Sequence, residues 1–444
     1  MKLMTRGEIE RGPGWVRLAA SGLLAVYLAF ALYLLWRTAV LAPFSDEFNW
    51  VARWYQLQDD HHWLAYVLAP HNISRLLWTR LAVALDMGAL GGTNAPLILS
   101  GAAALAVMAA TLGREAAIAA PRPAKSLAGA LAVMLALMAG NILDASIPIY
   151  ATYAHAAVFA VLAIVLSEGA SGGASRWRAA GAIACAMAAA LGSGAGLALW
   201  PVMAWGALLR RDWTWLSVVL VCGAAFVGLY LSGQGGAPAT AAATGLRDPG
   251  SALVLSLSFL ALPWARLAPQ SAWIAGVLVA LVAIALILAK GGDKAARSER
   301  VACGLMLFTL GAAALAGLRS GLEDAHDVPL RYGLLVAPLH AGLVILVARR
   351  LAGPWAAHAR LAEALGLCLL AAVFAQNLAM GPKLVQVSDV MRNAVADFHD
   401  GRRTPAVEAL VHPNLLFAGT VLDRMNRDDL FQHELHLKPR PASR

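Results

Sequence analysis

From residue 18 to residue 40 the chain reads LAASGLLAVYLAFALYLLWRTAV, with Arg37 its one charge, and runs of this kind recur almost to the C-terminal sixty residues. A helix needs about 20 apolar residues to cross a hydrocarbon core. A segment in lipid must also satisfy its own backbone donors and acceptors, which leaves helices or closed barrels. Barrel strands alternate apolar and polar residues, and runs such as GALAVMLALMAG do not. With 60% hydrophobic and 14% charged residues, against about 25% charged in ordinary globular chains, the sequence predicts an all-α integral membrane protein.

Lys and Arg in short loops mark the cytoplasmic side. Lys2, Arg6, Arg11 and Arg17 place the N-terminus there, and the run behind them lacks a small-residue cleavage site, so it reads as a retained anchor. Segment 18–40 then delivers residues 41–92 to the periplasmic side. Segments near 95–112, 127–143 and 150–167 follow, each return meeting basic loops at Arg114, Arg122, Lys125, Arg176 and Arg178. The stretch 179–209 has basic residues at both ends and GSGAGLALWP in its middle, which predicts a hairpin of two short segments. Gly192, Gly194 and Gly196 serve close helix packing there. No strand precedes them, as a dinucleotide site would require. Segments 214–232, 271–289, 301–318, 330–348 and 361–380 complete about eleven spans. For the loop holding Lys290, Lys294, Arg297 and Arg300 to stay inside, 251–268 must be a re-entrant or interfacial element. The reading gives a membrane domain over 1–380 and a periplasmic tail over 381–444 that can form two or three short helices.

The formal charge of +9 belongs to these orientation signals. No basic helix with interleaved aromatics is present, so nucleic acid is excluded as a partner. Cys185, Cys222, Cys303 and Cys368 stand singly in apolar segments and predict neither disulfide nor zinc site. Trp36, Trp213, Trp215 and Trp355 lie at segment ends, as an aromatic belt does.

Chemistry concentrates in the first outer loop, PFSDEFNWVARWYQLQDDHHWLAYVLAPHNISRLLWTRLAVALD, which reads as juxtamembrane amphipathic helices. Asp46 and Glu47 open it. They can favour a helix N-terminus or supply a general base whose pKa desolvation raises towards the working pH, with Asp46 the first candidate. His71, Asn72, Arg75 and Arg80 follow. Arg donors suit phosphate oxygens, whether on a substrate or on lipid headgroups. Asp59, Asp60, His61 and His62 lack metal-ligand spacing and read as a solvated turn. A second outer loop holds Glu323, Asp324, His326 and Asp327 and ends in Arg331 and Tyr332. Asp144 and Tyr150 are weaker candidates.

PFSDEFNW, HNISR and the later Arg331-Tyr332 pair resemble an uncharacterised group of bacterial polytopic proteins that read roughly P-x-x-D-E-W, H-N-E-H-R and R-Y at these places. Phe48 replaces the Trp, and Ile73 and Ser74 replace Glu-His, so no role passes to positions 73 and 74. In outline the architecture resembles the glycosyltransferase C superfamily. That resemblance implies a polyprenyl-phosphate-linked sugar donor, a glycan or lipid acceptor, and Asp46 as the first-loop carboxylate. Asp46 then takes a proton from the acceptor hydroxyl, and Arg75, Arg80 and Arg331 stabilise the departing phosphate. One carboxylate in direct displacement predicts inversion. No cofactor is required, and a divalent cation is left open. The alternatives are a lipid or sugar transporter or flippase, and a non-catalytic part of an envelope-polysaccharide assembly. Nearly charge-free spans favour surface chemistry over transport. The expected site is a bacterial inner membrane.

Overall fold

The computed structural model describes residues 14–71, 74–169, 176–232, 248–262, 271–288, 296–318, 330–353, 355–428 and 430–431. Among these there is no strand, only an isolated bridge between His71 and Ser74. In chain order the helices are α1 (Gly14–Thr38), α2 (Glu47–Asp60), α3 (Trp63–Leu68), α4 (Leu77–Ala89), α5 (Ala95–Ala119), α6 (Lys125–Ala136), α7 (Ala139–Ser146), α8 (Ala151–Ser167) and α9 (Arg176–Gly192). Then come α10 (Leu199–Leu209), α11 (Trp213–Ser232), α12 (Pro249–Leu260), α13 (Ala272–Leu288), α14 (Arg297–Gly317), α15 (Gly333–Leu351), α16 (Ala359–His399), α17 (Pro405–Leu410) and α18 (Leu415–Arg427).

Seven helices among the described residues are long and apolar enough to cross a membrane, and an eighth counts if α6 and α7, bent by 47°, form one broken span. Among the described residues the expected count of eleven is therefore not confirmed. The segments 194–209 and 272–288 are apolar but shorter. The break between α6 and α7 frees backbone groups that lipid cannot satisfy. Three side chains meet that need. Tyr27 donates its hydroxyl to the Leu137 carbonyl, Asn141 donates to the Ala136 carbonyl at 3.0 Å, and the Asn377 side chain accepts the Ala139 N–H.

Ion pairs gather one end of the bundle. Buried Glu115, near the end of α5, takes Arg297 at 2.7 Å. Glu168, following α8, takes Arg300 at 2.6 Å and also Arg210, following α10. α9 starts from this Arg-rich end and reaches the other, where the Gly192 carbonyl accepts the Thr152 hydroxyl at the start of α8. α10 returns to Arg210, so α9 and α10 form a hairpin. At its turn Gly196 presses on the backbone of Ala189 and Ala190, where a Cβ would lie 2.3 Å from the Ala190 nitrogen.

α12 stays at the opposite end. Ala252 and Ser256 lie against Gly317 at the end of α14, Leu257 lies against Gly276 near the start of α13, and Phe259 packs on Tyr332 at 5.5 Å. Its 12 residues span only about 18 Å, short of the ~30 Å core. Residues 263–268 of the expected 251–268 element lie outside the described residues.

A second hydrophobic core sits at this end. It joins Phe48, Trp50, Trp54 and Tyr66 of the first loop to Phe398, Val407, Val411, Val421 and Met425 of the C-terminal region. α16 runs unbroken through Pro382 to His399, across residue 381 where the tail is expected to begin. Two short helices, α17 and α18, then fold back onto α2. Arg424 pairs with Asp59 at 3.1 Å and lies over the Tyr55 ring at 4.1 Å. Trp215 departs from the expected belt: it is buried and donates to Ser167 at 3.1 Å.

Candidate functional site

The end of α1 is fastened before the chain reaches the first loop. Ser388 donates to the Thr38 carbonyl at 2.7 Å, Thr38 donates to Ser146 at 2.8 Å, and Arg392 caps the Arg37 and Ala39 carbonyls at 3.0 Å each. Ser45 then adopts the left-handed region, φ 53°, with its N–H on the Val411 carbonyl. This turn starts α2 with Asp46 at its N-cap. The Asp46 carboxyl makes no capping bond and is half exposed.

His71 Nε2 stands 3.6 Å from Asp46 Oδ2, an ion-pair distance. His71, with Arg331 and His412 adding charge, holds the Asp46 carboxyl below the usual aspartate range, outweighing its partial burial. This reverses the expectation of a raised value. Desolvation is incomplete at a half-exposed carboxyl, so the His71 hydrogen bond and the smaller charge effects outweigh it.

Glu47 lies elsewhere. It is 1% exposed, accepts the Phe44 N–H at 3.3 Å and faces Asn94. Burial, with a smaller push from Asp86, raises its pKa well above the glutamate range. Asp86 in turn holds the Thr93 and Asn94 N–H groups at 2.9 and 2.8 Å and so fastens the start of α5. Glu47 is part of the frame under the site.

His71 is set by its paired backbone bonds to Ser74, 2.8 and 2.9 Å, and by an edge-on contact with Trp50 at 6.0 Å. Ser74 accepts the Gly194 N–H at 3.3 Å, tying the strip to the α9–α10 turn. Asn72 lies outside the described residues.

Arg75 and Arg80 do different work from the phosphate contacts expected of them. Arg75 donates Nη2 and Nε to the Tyr230 carbonyl at 3.1 and 3.3 Å and Nη1 to Leu68, which caps the end of α11. Arg80 is buried and donates to the carbonyls of Tyr66 at 2.6 Å, Ala69 and Pro70. Burial lowers its pKa to about 10. Short loops leave carbonyls without helical partners, and both guanidinium groups meet that demand.

Arg331 sits in an aromatic cage. Its Nε donates to the Tyr153 hydroxyl at 3.4 Å, and its guanidinium lies 5.7 Å from the Tyr150 ring and 5.5 Å from the Tyr332 ring. Tyr332 is buried, edge-on to Tyr153 at 5.3 Å. Glu323, Asp324, His326 and Asp327 lie outside the described residues. Among the described residues no group of three or more His, Cys, Asp or Glu side chains is placed to hold a metal ion. Asp59 is paired with Arg424, and His61 ends α2 in a left-handed turn.

Asp46, His71 and Arg331 thus meet at one end of the bundle. The sequence reading missed Tyr153, Asn49 and His412. Tyr153 had a signal, a second tyrosine one turn after Tyr150, whereas nothing local marks His412. No family model, curated protein or solved structure matches the chain.

Proposed function

We propose that this protein is a membrane glycosyltransferase that moves a sugar from a polyprenyl-phosphate donor to an envelope glycan or lipid acceptor. The observation that carries the reading is the half-exposed Asp46 carboxylate held by His71, with Arg331 adding charge, at the end of the bundle opposite the Arg-rich one. With the Arg-rich end cytoplasmic by the positive-inside rule, the site and the C-terminal tail face the periplasm of a bacterial inner membrane. With α9, α10 and α13 as the shorter crossings beside the eight, the path makes eleven traversals.

In this reading the acceptor hydroxyl attacks the anomeric carbon as the carbon–oxygen bond to the lipid phosphate breaks. The phosphate leaves with the bonding electrons, and Arg331 and His71 stabilise its growing charge. The hydroxyl becomes strongly acidic only as its new bond forms. A carboxylate of low basicity therefore suffices, and Asp46 receives the proton late. Displacement from one face inverts the anomeric centre.

A transporter reading draws on the broken helix at α6–α7, since transporters build sites at such breaks. Here Tyr27, Asn141 and Asn377 engage the freed backbone groups, which favours a structural role for the break. The test is transfer from radiolabelled polyprenyl-phosphate sugars to a panel of acceptor glycans by purified wild type and Asp46→Asn. Loss of transfer in the variant is expected, and equal transfer by both overturns the reading.

A further inference from the structure

The C-terminal region delivers one more side chain to the site. Because the Ser45 N–H meets the Val411 carbonyl, the next residues, Asp46 and His412, come together from opposite ends of the chain. His412 is buried, edge-on to Phe48 at 6.3 Å and tilted against Phe417 at 5.3 Å. Its Nδ1 lies 2.9 Å from the Asn414 nitrogen and 3.0 Å from the Asn414 carbonyl oxygen, and its Nε2 lies 3.3 Å from the Asn49 side-chain amide. Either tautomer engages both ring nitrogens, given the matching amide orientation. Asn49 in turn donates its backbone N–H to the Asp46 carbonyl at 3.0 Å.

We infer that His412 is a positioning residue for Asp46: through Asn49 it fixes the first turn of α2, and so the direction of the carboxylate at its head. Phe48 and Phe417 pack against the imidazole and hold it in place. His412 also stands, with His71 and Arg331, among the groups that act on Asp46. The consequence for turnover rests on the transferase reading, whereas the positioning does not.

The test follows Asp46 itself. Full-length protein in nanodiscs is treated with dicyclohexylcarbodiimide, which modifies protonated carboxyls, across a pH series, and Asp46 modification is read by peptide mass spectrometry. His412→Asn keeps an acceptor for the Asn414 N–H, as an Asx turn does, but is too short to reach Asn49. Asn49→Ala breaks the same link from the other side. Each variant is expected to raise the midpoint of Asp46 modification by about half a pH unit, a roughly threefold higher rate above the midpoint. The double variant should match the singles, since the two residues act through each other. Unchanged Asp46 modification in both single variants, with melting temperature preserved, overturns the inference. If His412→Asn fails to fold, Asn49→Ala alone decides. The assay needs no sugar donor, so absence of transfer by wild type sinks only the transferase reading.

Discussion

Asp46 and Glu47 are consecutive and opposite in environment: one carboxyl is half exposed beside His71, and the other is 1% exposed beneath it. Successive helical residues point about 100° apart, so the first turn of α2 sends one acid to the site and the other into the frame. Glu47→Gln tests the division. Between the unfolded glutamate value, about 4.3, and the raised folded value, the unfolded chain has released its proton and the folded chain has not. Stability therefore falls as pH rises through that window. Gln cannot titrate. The variant should melt with wild type near pH 4 and above it near pH 7, while keeping transfer activity.

For Asp46 the sign is reversed. A lowered folded pKa stabilises above the unfolded value and loses that contribution as pH falls through the folded one. The acid limb of transfer should then lie below the ordinary aspartate value, about 3.9. His71→Gln removes the largest favourable influence and should move the limb upward. A pH–rate profile with an acid limb near 6 in wild type would contradict the ionisation state derived for Asp46.

The contrast between Arg80 and Arg331 separates frame from site. Arg80→Gln strips buried carbonyls of charged donors and should cost about 2–3 kcal/mol of stability, with Arg80→Lys failing to restore it because an ammonium lacks the planar fork. Arg331→Gln should instead weaken binding of undecaprenyl phosphate about tenfold with little change in melting temperature. Thermal unfolding and a binding titration read the two variants in parallel.

What the sequence shows of this molecule follows the range of each interaction. Helices and the two-ended distribution of charge are legible because apolar runs and basic loops are local, and the α9–α10 hairpin follows from basic residues at both its ends. The work of Arg75 is illegible, because its partner is a backbone carbonyl at Tyr230 that any residue would supply. Asn377 reads as a stray polar residue in a span until Ala139, from a distant segment, is placed against it. Asp46 is legible from its position, but its environment is not, because the loop fold brings His71 against it and Arg331 and His412 add smaller effects from remote stretches.

α12 offers a test of how far the frame reaches into the site. Gly276 meets Leu257 so closely that a Cβ would stand 1.7 Å from the Leu257 carbonyl oxygen, a backbone atom with nowhere to retreat. Gly276→Ala must therefore separate α12 from α13, at a cost of about 1–3 kcal/mol by overpacking. The movement also draws Phe259 from Tyr332, and Tyr332 is one wall of the cage around Arg331. Weaker undecaprenyl phosphate binding should accompany the lower melting temperature, although position 276 touches neither Asp46 nor His71. Gly228→Ala has open space for its Cβ and should leave binding unchanged. If both substitutions leave binding alike, α12 supports the bundle without supporting the Arg331 cage.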